Sequence, residues 1–287
     1  MDQETLSGFT HRRLKELDVR PRKGLGQNFL IDQKIIDKII DAAQIVPADI
    51  IVEVGPGIGA LTRSLVKTGA HIKAFEIDRI LADSLSSSLG APYNLEVINQ
   101  DILESDMEGI LAGQSYKVVA NLPYYITSPI IRLFLENKHH PSELVIMVQA
   151  EVAQNIMAKP GDMSLLGLGV QMYGDVSMVT KVSHGCFYPA PKVDSAVIKI
   201  VPYAEPLLAV EDYALFFKLA RAGFSNARKQ IANPLSHALG IEKDDVRAML
   251  ESSDIDPARR AETLSISEWI RLFGYYRDNI ADKTCEK

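Results

Sequence analysis

Asn121-Leu122-Pro123-Tyr124 places two hydrogen-bond acceptors and an aromatic ring within four residues, with a proline stiffening the turn between them. That set suits an exocyclic amine on a purine, whose lone pair is delocalised into the ring and is a poor nucleophile. The side-chain oxygen of Asn121 and the carbonyl of Leu122 could each accept one N–H. Doing so draws the nitrogen towards tetrahedral geometry and favours the charge that develops on it, so no strong general base is required. The face of Tyr124 could stack on a base drawn out of its helix. Taken alone, the tetrapeptide reads better as an ordinary Asn-X-Pro turn with a core tyrosine, and its weight comes from what precedes it.

What precedes it is Glu53-Val54-Gly55-Pro56-Gly57-Ile58-Gly59, followed by Glu76 and Asp101. Glycines leaving a strand let a ligand approach the backbone closely. With Ala60 the run also satisfies the dinucleotide pattern, and Glu76 stands at the distance of a ribose-binding acid, so a dehydrogenase has to be weighed. Against it, Pro56 removes an N–H from the loop that would cradle a pyrophosphate, and the loop holds no basic residue. A phosphate-free ligand fits better. S-adenosylmethionine is one, with a cationic sulfonium, a ribose diol and an adenine amino donor. Glu76 would accept the ribose hydroxyls and Asp101 the adenine amino group. Asp101 as a mere cap of the following turn is an equal alternative.

These residues need a scaffold that brings strand ends together. Short β-branched runs alternate with amphipathic stretches from Ile50 to about Gln149, the pattern of βαβ units and a parallel sheet. The runs predict strands at Ile50 to Val54, Ile72 to Glu76, Leu95 to Asn99, Lys117 to Ala120 and Leu144 to Val148. Two more, at Val176 to Val182 and Ala196 to Val201, would add an antiparallel edge. Beyond a linker around Pro202 and Pro206, helical spacing at Tyr213 to Phe224, Ile231 to Leu239, Lys243 to Leu250 and Ser267 to Phe273 predicts a small all-helical domain, with Trp269 as its core anchor. Arg259 and Arg260 with Glu262 read as pairs on a helix surface.

The 287 residues are 47% hydrophobic and 24% charged, which is globular composition and places disorder out of first consideration. No stretch has a signal peptide's apolar core or the roughly 18 uncharged residues of a membrane span. A soluble cytoplasmic protein without a membrane partner is the expectation. Cys186 and Cys285 lie far apart, His139 and His140 precede a proline, and His184 stands near Cys186, too few ligands for a metal site, so no metal is expected. A net charge of −6 argues mildly against nucleic-acid binding, yet the charge is segregated. Residues 10–29 are locally basic, with Arg22 and Lys23 among them. Lys218, Arg221, Arg228 and Lys229 form a second basic cluster with no acid between Tyr213 and Ile241. Either cluster alone reads as a solvated face.

Over nearly its whole length the chain resembles the ribosomal RNA small-subunit adenine-N6,N6-dimethyltransferase family of the KsgA type. The resemblance starts at Gly26-Gln27-Asn28-Phe29-Leu30, runs through the glycine loop, Glu76-Ile77-Asp78, Gln100-Asp101 and Asn121-Leu122-Pro123-Tyr124, and continues at Phe187-Tyr188-Pro189-Ala190-Pro191-Lys192-Val193-Asp194-Ser195. It implies an α/β fold, a Rossmann-like class I methyltransferase with a mixed seven-stranded sheet and a small helical C-terminal domain. In these terms residues 1–205 form the S-adenosylmethionine-binding catalytic domain and residues 206–287 an RNA-docking domain. It also implies two methylations on each of two adjacent adenosines near the 3′ end of small-subunit ribosomal RNA, with the small subunit as partner; a monomer is the expectation for the chain itself. By the same carry-over Asn28 and Leu30 would contact the cofactor beside Gly55, Gly57, Glu76, Asp101 and Asn121, and Phe187 would face Tyr124 across the target base. Arg22, Lys23, Arg221, Arg228 and Lys229 would meet RNA.

The chain departs from the family pattern at Asp162-Met163-Ser164-Leu165-Leu166 and has one arginine fewer than usual in Phe224-Ser225-Asn226-Ala227-Arg228-Lys229-Gln230. Two other functions share features with this reading. One is an antibiotic-resistance methylase acting on large-subunit RNA, against which the longer helical tail speaks. The other is a ribosome-assembly factor acting mainly by binding.

Overall fold

The computed structural model describes residues 4–22 and 26–281. Its strands are β1 (Phe29–Leu30), β2 (Ile50–Val54), β3 (His71–Phe75), β4 (Leu95–Ile98), β5 (Lys117–Asn121), β6 (Glu143–Gln149), β7 (Gly174–Val182), β8 (Phe187–Tyr188) and β9 (Ser195–Pro202). Seven of them form one sheet in the order β4-β3-β2-β5-β6-β9-β7, while β1 and β8 pair as a separate antiparallel ribbon. β2 runs parallel to both β3 and β5, β5 parallel to β6, and β9 antiparallel to β6. The mixed sheet anticipated from the β-branched runs is thus present, with boundaries shifted by a residue or two.

All five residues of β2 are buried, so Ile50, Ile51, Val52 and Val54 read as a continuous apolar run, as strands covered on both faces do. Helices supply that cover. In α1 (Leu6–Glu16), Leu6, Phe9 and Leu14 are buried, and in α2 (Gln33–Ala43), capped by the Asp32 carboxylate on the Lys34 amide, Ile35, Ile36, Ile39 and Ala43 are buried. Further along come α3 (Thr62–Leu65), α4 (Arg79–Ser88), α5 (Met107–Leu111) and α6 (Thr127–Glu136).

Strand order matters for the site. From β2 the chain winds outward through β3 to β4, and from β5 it winds the other way to β6. The loops after β2 and β5 therefore leave neighbouring strand ends at the point where the winding reverses, where open α/β sheets bind ligands.

The chain divides into two compact units. One holds the residues up to Ala153 together with Asp175–Pro202, and the other holds Gln154–Gly174 together with the residues from Tyr203 onward. The second unit thus takes in a segment, Gln154–Gly174, that the expectation of a boundary near residue 205 had left in the first. Helix α7 (Ala150–Ile156) spans that junction. The segment's next helix, α8 (Leu165–Gln171), is capped by Ser164, whose hydroxyl accepts the Gly167 amide at 2.9 Å. Met163 and Leu168 are buried in the second unit's core with Phe216, Leu235, Trp269 and Phe273. That core also draws on α9 (Tyr213–Phe224), α10 (Ala232–Leu239), α11 (Lys243–Ser252) and α12 (Ile266–Asn279).

Trp269 is fully buried and stacks on Phe224 with ring centroids 5.5 Å apart. Of the expected pairs with Glu262, Arg260 makes one at 3.5 Å beside a short 3-10 turn, whereas Arg259 pairs with Glu268 in the first turn of α12. Glu268 also completes a capping box with Ser265, and with Arg259 beside it its carboxyl is held down to about 2. No helix among the described residues is long and apolar enough to cross a membrane.

Candidate active site

One cavity collects the loops at the carboxyl ends of β2, β3, β4 and β5. It is lined by Asn28 and Leu30, by Glu53, Gly55 and Gly57, by Glu76 and Asp101, and by Asn121 through Tyr125. The sequence placed most of these together; the structure adds Glu53 and Tyr125.

The glycine loop needs glycine. Gly55 has φ +68° and Gly57 φ +60°, a left-handed backbone that side chains disfavour. A Cβ on Gly57 would sit 3.0 Å from the Phe29 ring, and one on Gly55 would sit 3.5 Å from the Pro123 ring. The second contact brings the bend after β2 against the turn after β5, which is the juxtaposition a group transfer requires.

Glu76 is buried and held by backbone. Its Oε2 accepts the Gly57 amide at 2.9 Å and its Oε1 the Asp78 amide at 2.9 Å. Burial raises its pKa above the usual carboxylate range, against the pull of those two amides. Asp101 is the cap that the sequence allowed, its Oδ1 accepting the Leu103 amide of the following turn at 2.9 Å, and the residue also lines the cavity. Glu53 is 1% exposed, and its Oε2 has no hydrogen-bond partner among the described residues. Burial pushes it up to about 8, the Thr62 hydroxyl opposing and the Glu76 charge adding.

Among the described residues three carboxyl groups line this cavity and no lysine or arginine does. That acceptor set suits a cationic ligand bearing hydroxyl and amino donors, and it opposes a pyrophosphate, which removes the support for a dinucleotide. S-adenosylmethionine fits. Among the described residues no group of three or more His, Cys, Asp or Glu is placed to hold a metal ion.

The turn after β5 is fixed at both ends. The Leu122 amide donates to the Met147 carbonyl of β6 at 3.1 Å, and the Ile126 amide to the Pro123 carbonyl at 3.2 Å. Asn121 Nδ2 donates to the Asn28 carbonyl at 3.5 Å, which turns the side-chain oxygen the other way. Tyr124 is half-buried and its hydroxyl lies 2.8 Å from Ser195 Oγ. Burial raises the Tyr124 pKa while the Ser195 contact lowers it. Tyr125 is 52% exposed at the cavity mouth beside Gly26.

One expectation changes. Phe187 is 3% exposed, belongs to the apolar core, and pairs in β8 with Leu30 rather than lining the cavity, so the described conformation does not present it across from Tyr124. Arg22 is exposed but forms an ion pair with Asp78 at 3.3 Å. Lys23 lies outside the described residues. Arg221, Arg228 and Lys229 are exposed in the second unit.

The chain matches the family model described as ribosomal RNA adenine dimethylase over residues 19–278. It is 48% identical over 279 residues to the ribosomal RNA small subunit methyltransferase A of Dehalococcoides mccartyi (strain CBDB1), covering 96% of this chain and 93% of that one. Among solved structures it resembles a dimethyladenosine transferase from Plasmodium falciparum, with TM-score 0.77 and 26% identity over 87% of this chain and 98% of the other. It also resembles the 23S rRNA methyltransferase ErmE, with TM-score 0.70 and 29% identity over 86% of this chain and 99% of the other. This chain belongs to the ribosomal RNA adenine dimethylase family.

Proposed function

We propose that the chain transfers methyl groups from S-adenosylmethionine to N6 of two adjacent adenosines near the 3′ end of small-subunit ribosomal RNA, working as a cytoplasmic monomer during small-subunit biogenesis. The observation that carries this reading is the abutment of Gly55 and Pro123, which sets the amine-accepting turn against the glycine bend.

Glu76, Asp101, Asn28, Leu30, Gly55 and Gly57 would hold the cofactor, the carboxylates accepting from its hydroxyl and amino groups. When bound, the cofactor supplies an electrophilic methyl on a sulfonium. The chain's own contribution is positioning. Asn121 Oδ1 and the Leu122 carbonyl accept the adenine N–H groups, and Pro123 keeps those acceptors in register. The Tyr124 ring offers a stacking face to the extruded base, at the cost of a few kcal/mol for unstacking. Arg221, Arg228 and Lys229, with Arg22 and Lys23 nearer the N-terminus, are the candidates for phosphate contacts.

The small subunit is preferred over the large because the curated relative at 48% identity is named for the small subunit, whereas ErmE matches at 29%. The test offers unmodified small subunits, naked RNA and large subunits with labelled cofactor and maps the modified bases by mass. Dimethyladenosines at adjacent positions of small-subunit RNA are expected. Modification confined to large subunits would replace this reading with the resistance-type activity. Charge reversal at Arg228 and Lys229 should weaken modification and flatten its salt dependence, and unchanged values would remove those residues from the RNA surface.

A further inference from the structure

Ser195 opens β9, where it faces Gln149 at the end of β6, and it is completely buried. The neighbouring Asp194 carbonyl accepts the Ala150 amide at 2.9 Å, so the backbone on either side of this serine is tied down. Its hydroxyl meets Tyr124 Oη at 2.8 Å, one of the two donating to the other. Tyr124 belongs to the turn whose Leu122 amide is anchored on Met147, also in β6. The antiparallel pair β6–β9 therefore holds this turn twice, by backbone at Leu122 and by the phenol tip at Tyr124.

We infer that Ser195 is a positioning residue for methyl transfer, fixing the plane of the Tyr124 ring so that it is set to receive the target base before the base arrives. A phenol ring held only at Cβ can swing about χ1 and χ2, and its torsions would have to be frozen when the base enters. A ring also anchored at its hydroxyl has already lost that freedom. The benefit falls on the state in which the base is extruded and stacked, so the loss should appear in turnover more than in RNA affinity. Phe187, buried beside Leu30, does not share the task in this conformation.

This inference rests on the adenine-methylating reading, and a double-mutant cycle separates the two. Ser195→Ala and Tyr124→Phe remove the same hydrogen bond from opposite ends, the second without touching the buried position. Each is expected to lower kcat on small-subunit RNA about tenfold, with the RNA KM changed by less than about twofold. Cofactor affinity, read by calorimetry with S-adenosylhomocysteine, should stay at the wild-type value. The double variant should be no slower than either single one. Single effects that multiply in the double variant, or a Ser195→Ala enzyme with wild-type kcat, would overturn the inference while leaving the function standing. A wild-type protein that methylates neither ribosomal subunit would overturn both.

Discussion

Glu76 Oε2 accepts the Gly57 amide at 2.9 Å, so the acid that follows β3 also shapes the glycine bend that follows β2. Its second oxygen accepts the Asp78 amide at 2.9 Å, and the carboxylate is thereby oriented by two backbone donors. Replacing Glu76 by alanine removes the proposed ribose acceptor and leaves the Gly57 amide without its partner. Two charge-assisted hydrogen bonds at roughly 1.5–3 kcal/mol each predict a loss of at least about a hundredfold in cofactor affinity. Binding to immature small subunits should persist, because the candidate RNA contacts lie on other segments. Calorimetry and co-sedimentation measure the two separately, and loss of both would argue against independent attachment.

Asn121 makes a different prediction. Its amide nitrogen donates to the Asn28 carbonyl at 3.5 Å, which leaves the oxygen for the acceptor role proposed above. Asn121→Ala should lower kcat by about 10²–10³-fold, the usual cost of one preorganised group at a developing charge, and should weaken cofactor binding far less. Rapid-quench single-turnover assays with saturating RNA check this. A variant whose defect lies wholly in cofactor affinity would reassign Asn121 to the binding site alone.

How legible the site was depended on whether a role is written into a single local segment. The glycine loop, Glu76, Asp101 and Asn121 to Tyr124 each sit at the end of a strand that β-branched runs announce, so sheet topology alone gathers them. Ser195 closes the family-like segment from Phe187 but was given no role, because its partner is 71 positions away and only the antiparallel return of β9 beside β6 brings the two together. The β1–β8 ribbon has two residues per strand, too few for any periodicity, yet it decides that Phe187 is core. Gln154–Gly174 carries no mark in the sequence of which unit it joins; burial of Met163 and Leu168 among the C-terminal helices settles that.

Glu53 predicts a pH dependence of stability. Its folded pKa is about 8 against an ordinary 4.5, so the fold favours the protonated acid. The unfolded chain binds fewer protons between those values, and the stabilisation present below about 4.5 is lost progressively as pH rises to about 8. Glu53→Gln keeps the shape and cannot ionise. Thermal melts from pH 5 to 9 should show the wild type falling and the variant falling less, with any remaining slope in the variant assigned to Glu76, whose pKa is also raised by burial. Superimposable curves would mean that Glu53 ionises in the fold without penalty.

Gly223 in α9 is a packing requirement of the second unit. A Cβ there would lie 2.6 Å from Trp269 Cη2, and Trp269 is fully buried and stacked on Phe224, so its ring has no room to retreat. Helix propensity alone favours alanine over glycine by about 1 kcal/mol, whereas forced overpacking costs about 1–3 kcal/mol. The second effect wins because the clash is with a rigid indole and not with the end of a flexible chain. Gly223→Ala should therefore lower the melting temperature, and should do so less in a Trp269→Phe background, where the smaller ring vacates the contested space. A stabilised Gly223→Ala protein, or equal losses in both backgrounds, would show that the helix shifts to accept the methyl group and that the close approach of α9 to Trp269 is not a constraint on the fold.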